Sequence, residues 1–394
     1  MTNDQFAIRN SQFAIRNSQF AIRNSQFAMT NDQLPTARRI MSDAFRELLR
    51  KIGSGVHTGE NLTRQQAAAA TRMMLLGEAT PAQIGAFMIS HRIKRPTGEE
   101  LAGMLDAYEE FGPMLAPPNR EKGFAVVRVA VFGVAYDGRS RTAPISPITA
   151  LILAASGVPA VMHGGDTMPT KEGIPLIEIW RGLGVDWKKL NLEKVQQIFD
   201  NTGLGFLYLP KHFPQAASLV PYRREIGKRP PFATMELMWC PCAGDVNVIS
   251  GYVHPPTEGM FQKAFELRGV KNYTTVKGLE GSCDLPRDRT AIIGIAKPGV
   301  EFERVLLSHG DYGFSSTNPA FESASDLFKQ MQEVLLGKPS ELMQSAIWNG
   351  GFYLWRSGVC LDMHSGLIEA ENLLNSGQVV QKLEEVSKAV SALN

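Results

Sequence analysis

The sequence predicts an α/β protein with a small helical unit in front. Three observations carry this: apolar residues recur at three- and four-residue spacings up to about residue 110, a proline-marked linker follows (Pro113, Pro117, Pro118), and β-branched runs then alternate with helical stretches to the end. At 394 residues, 44% of them hydrophobic and 20% charged, the composition is that of a globular chain with room for two or three domains. Global disorder and collagen are excluded. Lys plus Arg number 41 against 39 Asp plus Glu, so any polyanion-binding surface has to be local. No uninterrupted apolar run approaches the roughly 18 residues of a membrane span, and the N-terminus lacks a signal-peptide pattern. A cytoplasmic protein is expected. Four cysteines, Cys240, Cys242, Cys283 and Cys360, are too few for a disulfide framework and lack zinc-site spacing, which leaves buried thiols.

The first element is a repeat. QFAIRNS fills 5–11, 12–18 and 19–25, and MTNDQ at 1–5 returns at 29–33, which makes Met29 an alternative initiator. Phe6 and Ile8 sit two apart, unlike a coiled-coil seam, so 1–36 reads as a disordered extension.

A helix opens near Ser42, a potential N-cap, with Phe45, Leu48, Leu49 and Ile52 on one face. Thr63 with Gln66 resembles a capping box ahead of an alanine-rich helix. Thr80-Pro81 starts the next, with Ile84, Phe87 and Met88 inward, and a fourth begins at Thr97 with Leu101, Met104, Leu105 and Tyr108 inward. These define a helical domain over 42–110. From 122 to 394 the α/β grammar predicts strands at 126–132, 158–162, 205–209, 273–276 and 291–295. Helices are predicted at 147–157, 175–183, 192–201, 257–267, 344–356 and 366–374.

Blocks in fixed order then carry a resemblance. These are 62–107, GLGFLYLP (203–210), YRREIGKR (222–229), SGYVHPP (250–256), VKGLEG (276–281) and AIWNGGFYLW (346–355). Together they resemble the anthranilate phosphoribosyltransferase family over nearly everything from Phe45 onward. The resemblance implies a nucleoside phosphorylase/phosphoribosyltransferase-like fold with a central mixed sheet. It also implies a helical domain that recruits two further helices at about 173–202, and a site between the domains at the carboxyl ends of strands. It further implies phosphoribosyl pyrophosphate and an aromatic amine as substrates, Mg2+ as cofactor, a place in tryptophan biosynthesis and a homodimer.

Such chemistry needs a turn that cradles pyrophosphate, a metal held by carboxylates and a cation for the acceptor's carboxylate. The family's GTGGD turn corresponds to Gly133-Val134-Ala135-Tyr136-Asp137-Gly138, in which two glycines have become Ala135 and Tyr136. Of the following Asn-x-Ser-Thr stretch, Ser146 is retained between Pro144 and Pro147, and prolines remove backbone donors. Arg139 and Arg141 offer side-chain contacts to phosphate instead. Lys-His-Gly-Asn-Arg-Ser becomes Met162-His163-Gly164-Gly165-Asp166-Thr167, with Lys171 kept in register. The metal-binding acidic pair aligns with Cys283 and Asp284, and Glu280 lies close by in sequence. Arg223 matches the arginine that grips the anthranilate carboxylate, but the Asn-x-x-Gly-Pro stretch after it reads Ala233-Thr234-Met235-Glu236-Leu237.

The substrate-binding set from the resemblance is therefore Gly133, Asp137, Gly138, Arg139, Arg141, Ser146, His163, Gly164, Lys171 and Arg223, with Asp284 and Glu280 for metal. Some of these positions and their neighbours have a plainer reading. His163 could shape a strand exit, Asp137 could cap a turn, Cys240-Pro241-Cys242 could be packing, and 222–229 could be a solvated helix face. Two functions follow: a phosphoribosyl-type transferase with altered activity, or a non-catalytic paralogue that binds single-stranded nucleic acid through Arg223, Arg224, Lys228 and Arg229, joined by Arg139 and Arg141.

Overall fold

A computed structural model of the chain describes residues 34–55, 57–118, 124, 128–133, 138–169 and 171–394, with side chains from Asp43 onward. The repeats before residue 34 lie outside the described residues. Helix α1 spans Leu34–Gly53, so Ser42 is interior to it and residues 34–36 are not part of an extension. The reason is local propensity: Pro35 is tolerated in a first turn, and the Ala37–Met41 stretch favours helix.

Helices α2 (Arg64–Leu75), α3 (Pro81–Lys94) and α4 (Gly98–Phe111) complete the bundle. Thr63, Thr80 and Thr97 each cap one of them in a full capping box with Gln66, Gln83 and Glu100. Such a cap contributes about 1 kcal/mol. Glu100 does more than cap. Buried within the bundle, it accepts from the Leu62 amide at 2.8 Å, the Thr97 amide at 2.8 Å and Lys94 Nζ at 2.8 Å, with His91 Nε2 at 3.5 Å. Burial alone would push its carboxyl up, but His91, Lys94 and the amide donors outweigh it and hold the group at about 2.

The sheet has seven strands in the order β3-β2-β1-β4-β5-β6-β7. β1 (Val129–Gly133), β2 (Ala160–Gly164), β3 (Leu204–Tyr208), β4 (Val246–Gly251) and β5 (Tyr273–Val276) run parallel. β6 (Ala291–Lys297) and β7 (Val300–Leu307) add an antiparallel edge. β1, β2 and β3 are buried at every position, as their apolar runs require of strands covered on both faces. Register places Ala130 opposite both Ala160 and Asn247, so the glycine-ended exits of β1 and β2 emerge side by side.

One core gathers β1–β3 with α5 (Ser146–Ala155), α6 (Leu176–Gly182), α7 (Leu192–Thr202) and four C-terminal helices, α9 (Ala324–Leu335), α10 (Glu341–Ser357), α11 (Met363–Asn375) and α12 (Gln378–Leu393). Trp180, Trp187 and Trp348 are fully buried in it. The other core gathers the bundle with the 209–239 segment and α8 (Pro255–Leu267), which packs on α4. The expected recruitment of the 173–202 helices to the bundle is therefore not what the structure shows. Ile177, Trp180, Val195 and Phe199 face the sheet-side core, and Phe213, Phe232 and Trp239 take the place beside the bundle.

Candidate functional site

The strand exits of the parallel sheet converge where loops from β1, β2 and β5 meet the bundle side. Gly133 ends β1 because nothing larger fits: a Cβ there would lie 1.9 Å from the Leu237 carbonyl oxygen. Asp137 and Tyr136, with the rest of 134–137, lie outside the described residues. The chain resumes at Gly138, pressed against Gly173 so closely that a Cβ on Gly173 would stand 2.2 Å from the Gly138 carbonyl oxygen. Arg139 bridges to Ile174 directly after.

Gly138, Arg139, Arg141, Ser146, Lys171, Glu280 and Asp284 come together in one cluster. Arg139 is fully buried and donates to Asp284 Oδ2 at 2.6 Å, the Ala143 carbonyl at 2.6 Å and Ser282 Oγ at 3.2 Å. The same Oδ2 accepts from the Ile145 amide at 2.8 Å, and Oδ1 accepts from Ser146 Oγ at 2.6 Å. Glu280 Oε1 accepts from the Thr142 hydroxyl at 3.0 Å and from the amides of Thr142 and Arg141 at 3.1 and 3.3 Å. Burial pushes its carboxyl up, but the Thr142 hydroxyl, Lys171 and Arg139 bring it below the ordinary value. Lys171 Nζ donates to the Glu280 carbonyl at 2.6 Å. Glu280 and Glu172 both hold φ near +50°, a left-handed conformation costly for a residue with a Cβ.

This donor set does not fit a magnesium ion. Both Asp284 oxygens are already engaged, one of them by a guanidinium, and Cys283, aligned with the other acidic position, turns its sulfur to the Ile249 carbonyl at 3.3 Å. Among the described residues, no group of three His, Cys, Asp or Glu side chains is gathered as a metal site.

A second cluster surrounds Arg223. It is fully buried and makes a two-pronged contact with Glu236, Nη1 to Oε2 at 3.0 Å and Nη2 to Oε1 at 2.6 Å. Tyr108 of the bundle donates to Glu236 Oε1 at 2.6 Å, and Met168 Sδ lies 3.8 Å from Nη1. Burial pushes the Glu236 carboxyl up and the Arg223 guanidinium down, yet the paired geometry is that of an ion pair. Aromatic rings box it in: Tyr108 stands 5.1 Å from Phe213, 6.2 Å from Phe232 and 6.0 Å from Trp239.

His163, near the end of β2, touches the same box with its ring 4.9 Å from that of Trp239. Burial drives it down to about 4 against a weaker upward pull from the Trp239 backbone, so it is neutral at physiological pH. Gly164 ends the strand beside it. Asp166, which the resemblance sets where the family has arginine, is neutralised in place. It accepts from Tyr208 Oη at 2.8 Å and Lys188 Nζ at 3.0 Å.

Of the cations proposed as a polyanion surface, Arg139 and Arg223 are buried in ion pairs and are not part of any surface. Arg224 and Lys228 are exposed, Arg229 is half-buried and Arg141 is exposed beside Glu280. Residues that sequence reasoning did not assign to the site are Glu236, Trp239, Ser282 and Lys188, with Tyr108 read only as core. The signal for Glu236 was present in its alignment with the glycine of the family's Asn-x-x-Gly-Pro stretch.

A capped helical bundle set against a mixed sheet, with glycine-ended strand exits facing it, defines a two-part transferase fold. The chain belongs to the glycosyl transferase family: its helical bundle domain matches residues 46–112 and its a/b domain residues 137–380. Anthranilate phosphoribosyltransferase of Chromobacterium violaceum is 26% identical over 333 residues, 83% of this chain and 94% of that protein. That of Laribacter hongkongensis is 28% identical over 320 residues, 80% and 90% of the two chains. Among solved structures, the Saccharomyces cerevisiae anthranilate phosphoribosyltransferase in complex with PRPP and Mg superposes with a TM-score of 0.76 at 17% identity, covering 90% of this chain and 99% of that one. Anthranilate phosphoribosyltransferase of Thermus thermophilus gives 0.71 at 19% identity, covering 89% and 99%.

Proposed function

We propose that this chain is a phosphoribosyl-type transferase with an altered acceptor, and that it does not transfer to anthranilate. The observation that carries this reading is the Arg223–Glu236 pair. The guanidinium that the resemblance assigns to the acceptor's carboxylate is held from within by two hydrogen bonds of 3.0 and 2.6 Å. An acceptor carboxylate arriving there would meet a like charge in a dry, aromatic setting. An amine acceptor without a carboxylate is compatible with it. Losing the cation–carboxylate contact costs about 4 kcal/mol, or about a thousandfold in rate. The test is formation of phosphoribosyl anthranilate from phosphoribosyl pyrophosphate and anthranilate with Mg2+, run beside the yeast enzyme. Turnover below about a thousandth of that enzyme is expected, and turnover within tenfold of it would defeat the reading.

A second reading is favoured by one observation. Arg92 Nη1 at the end of α3 donates to the Arg229 carbonyl, which sets exposed Arg92 against the segment that carries exposed Arg224 and Lys228. Such a cluster suits single-stranded nucleic acid. Replacing Arg224 and Lys228 with Ala should then flatten the slope of log affinity against log salt by about 1 to 2. No binding at low salt would remove this reading.

A further inference from the structure

We infer that Arg139 is a built-in counter-cation, occupying the role that a divalent ion would otherwise have at Asp284, and that the Arg139–Asp284 cluster holds no divalent metal. This rests on the β1 side of the site and is independent of the acceptor reading drawn from Arg223.

The argument is one of charge and of lone pairs. A buried carboxylate needs a cation and enough donors to replace its lost hydration. Asp284 has both from protein alone: the Arg139 guanidinium and the Ile145 amide on one oxygen, and the Ser146 hydroxyl on the other. The guanidinium is held on several sides by protein groups. Its other donors reach Ser282 Oγ and the Ala143 carbonyl, and its backbone is pinned by the bridge to Ile174 and the contact of Gly138 with Gly173. Ser282 closes the arrangement, since its hydroxyl also accepts from the Asp284 amide at 3.1 Å. Glu280, the other acidic side chain of the cluster, has one oxygen filled by Thr142 and Arg141 amides and the Thr142 hydroxyl, with Arg141 Nε 3.6 Å from the other. At Asp284 a divalent ion would therefore have to displace a cation already in place.

Two consequences differ from a merely structural ion pair. The site should ignore divalent metal as long as Arg139 is present, and should acquire affinity for it when the guanidinium is removed while Asp284 stays. Mn2+ is the probe, titrated into the full chain and followed by the loss of its free electron paramagnetic resonance signal and by melting temperature. The wild-type chain is expected to bind no stoichiometric Mn2+ up to about 1 mM. Arg139→Gln is expected to bind one Mn2+ at least tenfold more tightly, with a rise in melting temperature of about 3 °C or more at 1 mM over matched NaCl. The double variant Arg139→Gln/Asp284→Asn should lose that gain. Stoichiometric Mn2+ binding by the wild-type chain that Asp284→Asn abolishes would overturn the proposal. So would a folded Arg139→Gln chain with wild-type Mn2+ behaviour. An Arg139→Gln chain that stays unfolded at saturating Mn2+ would overturn it too, because the ion is then unable to stand in for the guanidinium.

Discussion

Replacing Glu236 with Ala takes a carboxylate out of a site with no access to water. Three hydrogen bonds vanish, two from Arg223 and one from Tyr108, and the Arg223 charge is left unpaired among aromatic rings. Breaking a buried pair from one side costs about 3–5 kcal/mol, far above the 0–1 kcal/mol of a surface pair. For a chain of this length about 2 °C is lost per kcal/mol, so the melting temperature should fall by about 6–10 °C. Urea denaturation with an unchanged m-value would report the same loss as a lower midpoint. Arg223→Met should cost a similar amount, because it strands the carboxylate instead. The double variant Arg223→Met/Glu236→Met should cost much less than the two singles added together, since neither charge remains to be buried alone. If the double loss equals the sum of the singles within about 0.5 kcal/mol, the two side chains are not coupled and the reading of this pair as a closed charge unit is wrong.

Other expectations follow from the same geometry. His163 titrates at about 4 when folded and at its ordinary 6.5 when unfolded, so the unfolded chain takes up the proton first on acidification. Stability tied to it is complete above 6.5 and falls by about 3 kcal/mol as the pH drops toward 4, and His163→Phe should flatten that part of a pH–stability curve. Glu100, held at about 2 against an ordinary 4.5, adds a second loss below pH 4.5 that Glu100→Gln should remove while lowering neutral-pH stability by about 2–4 kcal/mol. Gly133→Ala drives a Cβ into the Leu237 carbonyl and should cost about 3 kcal/mol or more in thermal unfolding, whereas Gly259→Ala, inside α8 with open surroundings, should stabilise by about 0.5–1 kcal/mol.

The bundle was the most legible part because its signals are local: Thr63, Thr80 and Thr97 cap from within one turn, and their partners lie three residues on. The strand at 273–276 was read residue for residue, and β1–β3 within two or three residues, since buried parallel strands are short apolar runs between breakers. The residue pattern gives no strand at β4 or β7 and no helix at α9 or α12. β7 is an edge strand whose Glu301, Glu303 and Arg304 face solvent, so it carries no apolar run to find. Within the site, the resemblance singled out Arg139, Asp284 and Arg223, but their partners were out of reach. Asp284 is 145 residues from Arg139, and Tyr108 is 128 from Glu236. An arginine in a sequence looks available to a ligand until the fold supplies its counter-ion. The pairing of 173–202 with the sheet was missed for a similar reason: amphipathic helices declare a buried face but not what buries it.

The bundle's core does not end where the bundle does. Phe45, Met88 and Leu101 share one apolar cluster with Phe213, Phe232, Phe261 and Tyr273. Arg64 and Arg268 meet on Asp106 across the same boundary. The segment matched as a helical bundle domain, 46–112, thus does not close its own core. Its inner face is completed by residues more than a hundred positions downstream. Cooperativity crosses the domain boundary, and unfolding of either part exposes the other. Heat should therefore take the molecule apart in a single calorimetric transition, and amides in α4 and α8 should exchange with solvent only through that global opening.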